Sequence, residues 1–339
     1  MTTISVLMPV HDGEPFVREA IDSVLAQTFT DFELIVVDDA SADGTAAVLR
    51  TFTDARVTVV RHDRQRGIAG SLNRGLDLAA GRFIARADAD DVNAPHRFAR
   101  QLAFLAAHPE VALCGTWIRM FSGGWRRDRR METDPERMRC ALLMHNVLSH
   151  PTAMWRRDVF ERHGLRYDGS LRTAEDYDLW CRASHRVTLG NVAEILMGYR
   201  VHDAQIGRVA RAERLAEGER IRGAQLRRLG AALTPAELAL HHALSMGEAG
   251  AVDLPLARSW MGKIVDANDR ARLYDGRVLR RLLVEEVLMA SVRGGRLRVR
   301  ELLRPPLRHA LAPGALLSLL RRRVTGLIDN RRRSVNSPP

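Results

Sequence analysis

The sequence predicts an α/β domain on a mostly parallel sheet, followed by an α-helical C-terminal region. Three observations carry this. Short apolar runs alternate with amphipathic segments through the first hundred residues. Two of those runs lead into clustered aspartates, and from residue 205 onward the pattern turns helical, with glycine and proline breaks.

Residues 4–10 form a buried-type strand ending at Pro9-Val10. Residues 15–26 place Phe16, Ala20, Ile21, Val24 and Leu25 at helical spacing. A second strand over 32–37 ends in Asp38-Asp39, and Asp43 is the expected N-cap of a helix through Val48 and Leu49. Residues 57–60 read as a third strand, and 68–80 as a helix closed by Gly81 as a C-cap. Residues 82–87 make a fourth strand that delivers Ala87-Asp88-Ala89-Asp90-Asp91. A helix over 96–107 and a strand over 111–120 follow, then an irregular basic stretch over 122–130. A cluster from His145 to Trp155 leads to Glu175-Asp176-Tyr177-Asp178-Leu179-Trp180, and a strand over 195–201 ends at His202. Strand and helix in strict alternation imply parallel neighbours with helices on both faces.

The acidic turn carries the first chemical signal. Residues two apart at a strand end point the same way, so Asp88 and Asp90 converge on one target. Hard oxygen ligands at the carboxyl edge of a sheet suit Mg2+ or Mn2+ holding a diphosphate, and that edge is where open α/β sheets place ligands. Two other nucleotide chemistries are excluded. Neither Gly-x-Gly-x-x-Gly after the first strand nor Gly-x-x-x-x-Gly-Lys-Ser/Thr is present.

Charge is placed unevenly. Residues 1–204 carry a net charge of −2 and residues 205–339 one of +13, almost all of it arginine, since Lys263 is the only lysine. No aromatic-interleaved basic patch or zinc-finger spacing accompanies it, so no nucleic-acid partner is expected. Cys114, Cys140 and Cys181 stand far apart, as reduced buried thiols do. No apolar run approaches a membrane span and no leader is recognised, so a cytoplasmic protein is expected. Residues 315–328 repeat Leu316, Leu317, Leu320, Val324, Leu327 and Ile328 at helical spacing around Arg321-Arg322-Arg323. Such a helix either lies on an anionic membrane, as peripheral proteins do, or packs on the protein with its arginines in solvent.

Eight pieces occur in a telling order: Met8-Pro9-Val10, Ser23-Val24-Leu25-Ala26-Gln27-Thr28, Val36-Val37-Asp38-Asp39-Ala40-Ser41, Leu72-Asn73-Arg74-Gly75, Ala87-Asp88-Ala89-Asp90-Asp91, His150-Pro151, Glu175-Asp176-Tyr177-Asp178-Leu179-Trp180 and Tyr199-Arg200-Val201-His202. Together they resemble the family 2 inverting glycosyltransferases of the GT-A fold, over about residues 3–203. The resemblance implies a catalytic domain over 1–203 and a basic helical region over 204–339. It implies transfer of a sugar from a nucleoside diphosphate sugar, UDP- or dTDP-linked, to a glycan or lipid-linked acceptor in envelope or exopolysaccharide assembly. Two positions depart from the pattern: Ala40 where glycine is frequent, and Gln65 where asparagine is usual.

By that resemblance Asp90 ligates the Mn2+ or Mg2+ cofactor and Asp88 contacts the ribose or the metal's shell. Asp91 either joins them or caps the next helix. Asp39 accepts from the nucleotide base beside a wall of Pro9 and Val10 backbone, or else caps a turn with Asp38. Arg66 adds a contact to base or phosphate, or is a plain solvated arginine. Asp176 is the general base with Glu175 orienting it, although acids in a first helical turn also suit the macrodipole. His202 completes the metal shell or touches the diphosphate, while His150 shapes the acceptor pocket or a turn.

Overall fold

The computed structural model describes residues 2–205, 210–247 and 252–293. Its contacts divide into two compact units, one of residues 1–142 and 146–221, the other of 143–145 and 222 onward. The amphipathic segment at 315–328 lies outside the described residues.

In the first unit one sheet organises everything. Strands β1 (Ile4–Val10), β2 (Phe32–Asp38), β3 (Val57–Arg61) and β4 (Phe83–Arg86) run parallel in the order β3-β2-β1-β4. Helices α1 (Val17–Leu25), α2 (Thr45–Leu49) and α3 (Gly67–Leu78) connect them. Beyond β4 the sheet continues through β8 (Met154–Arg156), β6 (Val111–Ser122), β9 (Thr188–Arg200) and β5 (Val92–Asn93), with β7 (Trp125–Arg129) hung on β6. The pairings of β8 with β4 and β6 are antiparallel, and β6 with β9 is parallel, so the sheet is mixed in this half. Helices α4 (Arg97–Ala107), α5 (Pro135–Ala141), α6 (Arg157–Arg162) and α7 (Glu175–Ser184) complete the layers. Strands β1, β2 and β4 are buried nearly throughout, which is why they read as continuous apolar runs. Val6, Met8, Leu34, Val36 and Ala85 pack with Ile21, Val24 and Phe98 in one core.

Helix α8 (Arg211–Leu229) carries the chain into the second unit. There α9 (Pro235–Met246), α10 (Leu254–Ala271) and α11 (Gly276–Arg293) surround a core that includes Trp260, Ile264, Leu279 and Leu283. Thr234 and Glu237 form a reciprocal capping box on α9. No described helix is long and apolar enough to cross a membrane.

Four local expectations are corrected. Gly81 is not a left-handed cap: α3 ends in extended Ala79, and a Cβ on Gly81 would sit 2.4 Å from the Ser5 nitrogen, so glycine is needed for close approach to β1. Gly44, not Asp43, is the N-cap residue of α2, and the Asp43 carboxylate holds the Thr45 amide at 2.9 Å from one position earlier. The stretch 122–130 is not irregular, because Gly123-Gly124 turns β6 into β7 as a hairpin. Asp91 does not cap the next helix. The N-cap of α4 is His96, and Asp91 Oδ1 instead accepts the Arg200 amide at 2.8 Å.

Candidate active site

The carboxyl ends of β1, β2 and β4 lie side by side, in register from Val10↔Asp38 and Leu7↔Arg86. At the β1 and β2 ends the side chains lock the backbone. Val10 faces the core and its carbonyl accepts the Asp39 amide at 2.8 Å, while Pro9 is half-buried. Asp38 accepts the Ser41 amide at 2.9 Å and pairs with Arg61 at 3.1 Å, a turn-capping role. Between them Ala40 is held at φ 58°, a left-handed conformation that glycine adopts more easily.

Asp39 is 4% exposed, and its two oxygens accept the amides of Arg66 and Gly67, each at 2.8 Å. Gly67 at φ +75° makes the double contact possible. Asp39 therefore clamps the start of α3 to β2, with one lone pair on each oxygen left for a ligand. The Arg66 guanidinium turns away to Asp63 at 3.3 Å and half its side chain is exposed. Its backbone, not its charge, joins the site.

At the β4 end the ligand oxygens of Asp88, Asp90 and Asp91 lie within 4.8 Å of one another. Asp91 is fully buried, and its Oδ2 has no partner. Burial and then the neighbouring carboxylates of Asp88 and Asp90 push its pKa well above the ordinary range. Burial raises Asp88 as well, against the pull of Arg86. His202 arrives from the end of β9 with Nε2 2.9 Å from Asp90 Oδ2, its ring 4.7 Å from that of Phe16. Three crowded carboxylates, an orphaned buried oxygen and one imidazole are a donor set that a hard divalent cation fits, because its charge would relieve the repulsion they now bear.

Glu175 and Asp176 open α7, whose N-terminal dipole favours acids. Asp176 is partly exposed; its Oδ2 accepts from Asn146 Nδ2 at 2.7 Å and its Oδ1 from the Tyr177 amide at 2.6 Å. Burial lifts it to about 6 despite those bonds. Glu175 is 3% exposed and rises to about 8, through burial first and Asp176 second. Its Oε1 lies 3.4 Å from His150 Nδ1, while Oε2 has no partner. His150 Nε2 meets the Tyr167 hydroxyl at 2.9 Å, and burial, then Arg86, depresses the imidazole far below its usual pKa.

Three participants escaped sequence reasoning. Arg86 is a fully buried guanidinium paired with Asp88, and its charge is felt at Glu175, Asp176 and His150. The signal was an arginine inside a strand otherwise apolar. Asn146 had no motif around it. Glu217, on α8, accepts the amides of Arg172, Thr173 and Ala174 at 2.9, 3.0 and 3.0 Å, and so holds the segment that presents Glu175-Asp176.

Known proteins are similar to this chain in sequence and in fold. Residues 5–164 match the model of glycosyl transferase family 2. The O-antigen biosynthesis glycosyltransferase WbnJ of Escherichia coli is 30% identical over 206 residues, 59% of this chain and 80% of its own length. Among solved structures, S. aureus TarS 1-349 in complex with UDP-GlcNAc aligns with a TM-score of 0.58 at 19% identity, covering 86% of this chain and 89% of that one. The mannosyltransferase PcManGT of Pyrobaculum calidifontis, in complex with GDP-Man and Mn2+, aligns with a TM-score of 0.54 at 20% identity, covering 86% of each chain. The GT-A architecture, the acidic turn after β4 and a relative matched over most of its length agree: this chain belongs to glycosyltransferase family 2.

Proposed function

We propose that this chain is a metal-assisted, inverting glycosyltransferase. It would move one sugar from a UDP- or dTDP-linked donor to a hydroxyl on a glycan or lipid-linked acceptor, in cell-envelope or exopolysaccharide assembly at the cytoplasmic face of the membrane. The observation that carries the reading is that two carboxylate sites lie close together, near enough that Asp88 and Arg86 act electrostatically on Asp176. One is the crowded trio Asp88, Asp90 and Asp91 with His202, and the other is the partly exposed Asp176.

Their divided environments support a division of roles. Asp90 and His202, with Asp88 or Asp91, would hold a Mn2+ or Mg2+ ion, which offsets the charge gathering on the departing diphosphate. Asp39 and the Pro9-Val10 backbone line the base side of the nucleotide, with the Arg66-Gly67 backbone beside them. Asp176, at about 6, is ionised near neutrality and takes the proton of the acceptor hydroxyl. The oxygen's electron pair forms the new bond at the anomeric carbon as the bond to the phosphate oxygen breaks and its pair leaves with the diphosphate. A single displacement of this kind inverts the anomeric centre. Glu175, neutral at pH 7, adds no second negative charge beside the base.

The test is thermal stabilisation by UDP, dTDP and GDP, each with and without Mn2+, on the wild type and Asp90→Ala. A Mn2+-dependent shift for one nucleotide that the variant loses supports the reading. A folded wild type that no nucleotide stabilises refutes it.

A further inference from the structure

The β6–β7 hairpin carries a charged face that the donor site leaves unused. Register pairs Ile118 with Arg129 and Met120 with Arg127, and on the other side of β6 it pairs Ile118 with Met197 and Met120 with Tyr199. Side chains two apart on a strand share a face. Arg127, Arg129 and Tyr199 are thus on one face, while Arg119, Arg126 and Asp128 are on the other. The only acid in β7, Asp128, is engaged on that opposite face by Arg119 at 2.6 Å. Among the described residues Arg127 and Arg129 have no ion-pair partner, and both are exposed.

This face borders the acidic turn. Gly198 pairs with Val92 in β5 just past that turn, and the Arg200 amide donates to Asp91 Oδ1 at 2.8 Å, so Tyr199 lies between two residues anchored beside it. Sheet order separates the two sides of that turn. The nucleotide-side strands β1 and β2 lie on one side of β4, and β6 with its hairpin lies on the other.

We propose that Arg127 and Arg129 form a subsite for a phosphate group carried by the acceptor, so that the sugar is added to a phosphate-bearing molecule. The inference rests on the transferase reading above and names its acceptor class. Two arginines whose Cα atoms stand roughly 7 Å apart along a strand can bring both guanidinium groups to one phosphate, which has three oxygens free to accept; a carboxylate is satisfied by a single bidentate arginine. The donor diphosphate would be met instead by the cation that Asp88, Asp90, Asp91 and His202 would hold.

The experiment uses the full chain with Mn2+ and the nucleoside diphosphate that stabilises it, and reads the change in tryptophan fluorescence during titration, to which Trp125, two positions from Arg127, contributes among the five tryptophans. Glycerol 3-phosphate is the probe, with glycerol and glycerate as its uncharged and carboxylate counterparts. The expected result is saturable binding of glycerol 3-phosphate, weakened by about tenfold or more in Arg127→Gln/Arg129→Gln through the loss of charge-assisted bonds. Nucleotide affinity in that variant stays within about twofold, since no donor contact is lost. Equal binding of glycerate, or no binding of glycerol 3-phosphate by a nucleotide-loaded wild type, overturns the phosphate subsite. Loss of nucleotide affinity in the variant overturns it too, by assigning the pair to the donor. A wild type that binds no nucleotide defeats the transferase reading itself, and this inference with it.

Discussion

Glu175→Gln should make this protein more stable at neutral pH. In the folded chain Glu175 titrates at about 8 instead of 4.5, because it is buried beside Asp176 with one oxygen unpaired. Between those values the folded state holds a proton that the unfolded state has lost, so stability falls as pH rises through this window. At pH 7 the unfolded chain gains roughly 3 kcal/mol by ionising this residue, worked from 1.36 kcal/mol per pH unit above 4.5. A glutamine is neutral in both states and removes that penalty with nearly the same volume. Urea unfolding in EDTA at pH 5, 7 and 8.5 measures it. The gain should be under about 1 kcal/mol at pH 5, roughly 3 at pH 7, and level off above pH 8. A variant no more stable than the wild type at pH 7, or a gain that does not grow with pH, would refute the reasoning.

Three further outcomes are expected. Asp176→Asn should lower kcat by roughly 10²–10⁴ while keeping Mn2+-dependent nucleotide stabilisation, and the wild-type rate should climb with pH through about 6 as the base ionises. Glu217→Ala removes the acceptor of three amides ahead of α7, so kcat should fall by about tenfold or more with donor affinity kept, and thermal scans should show a loss of about 1–3 kcal/mol; unchanged turnover would reduce Glu217 to a scaffold. Ala40→Gly relieves a left-handed alanine at φ 58° and should raise stability by about 0.5–1 kcal/mol in denaturant titrations, after the flexibility glycine adds to the unfolded chain.

The sequence by itself determined the elements whose cause is local. Strands β1, β2 and β4 were legible because burial on both faces demands continuous apolar runs, and the helices between them because their buried stripes recur with helical period. The acidic turn, the Glu175-Asp176 pair and His202 were legible as motifs, each contained in a few consecutive residues. Only the tertiary structure decided how they act. Asp39 clamps Arg66 and Gly67 across 27 and 28 positions, His202 meets Asp90 across 112, and the amide of Arg200 meets Asp91 across 109. The same holds for Arg86 beneath the carboxylates, Asn146 on Asp176 and Glu217 behind α7. A hydrogen bond or a desolvated charge depends on position in space, and chain neighbours carry no record of it. Gly81 makes the point in miniature, since the residue is a break in any local reading, and only the Ser5 backbone pressed against it reveals that the reason is contact rather than a turn.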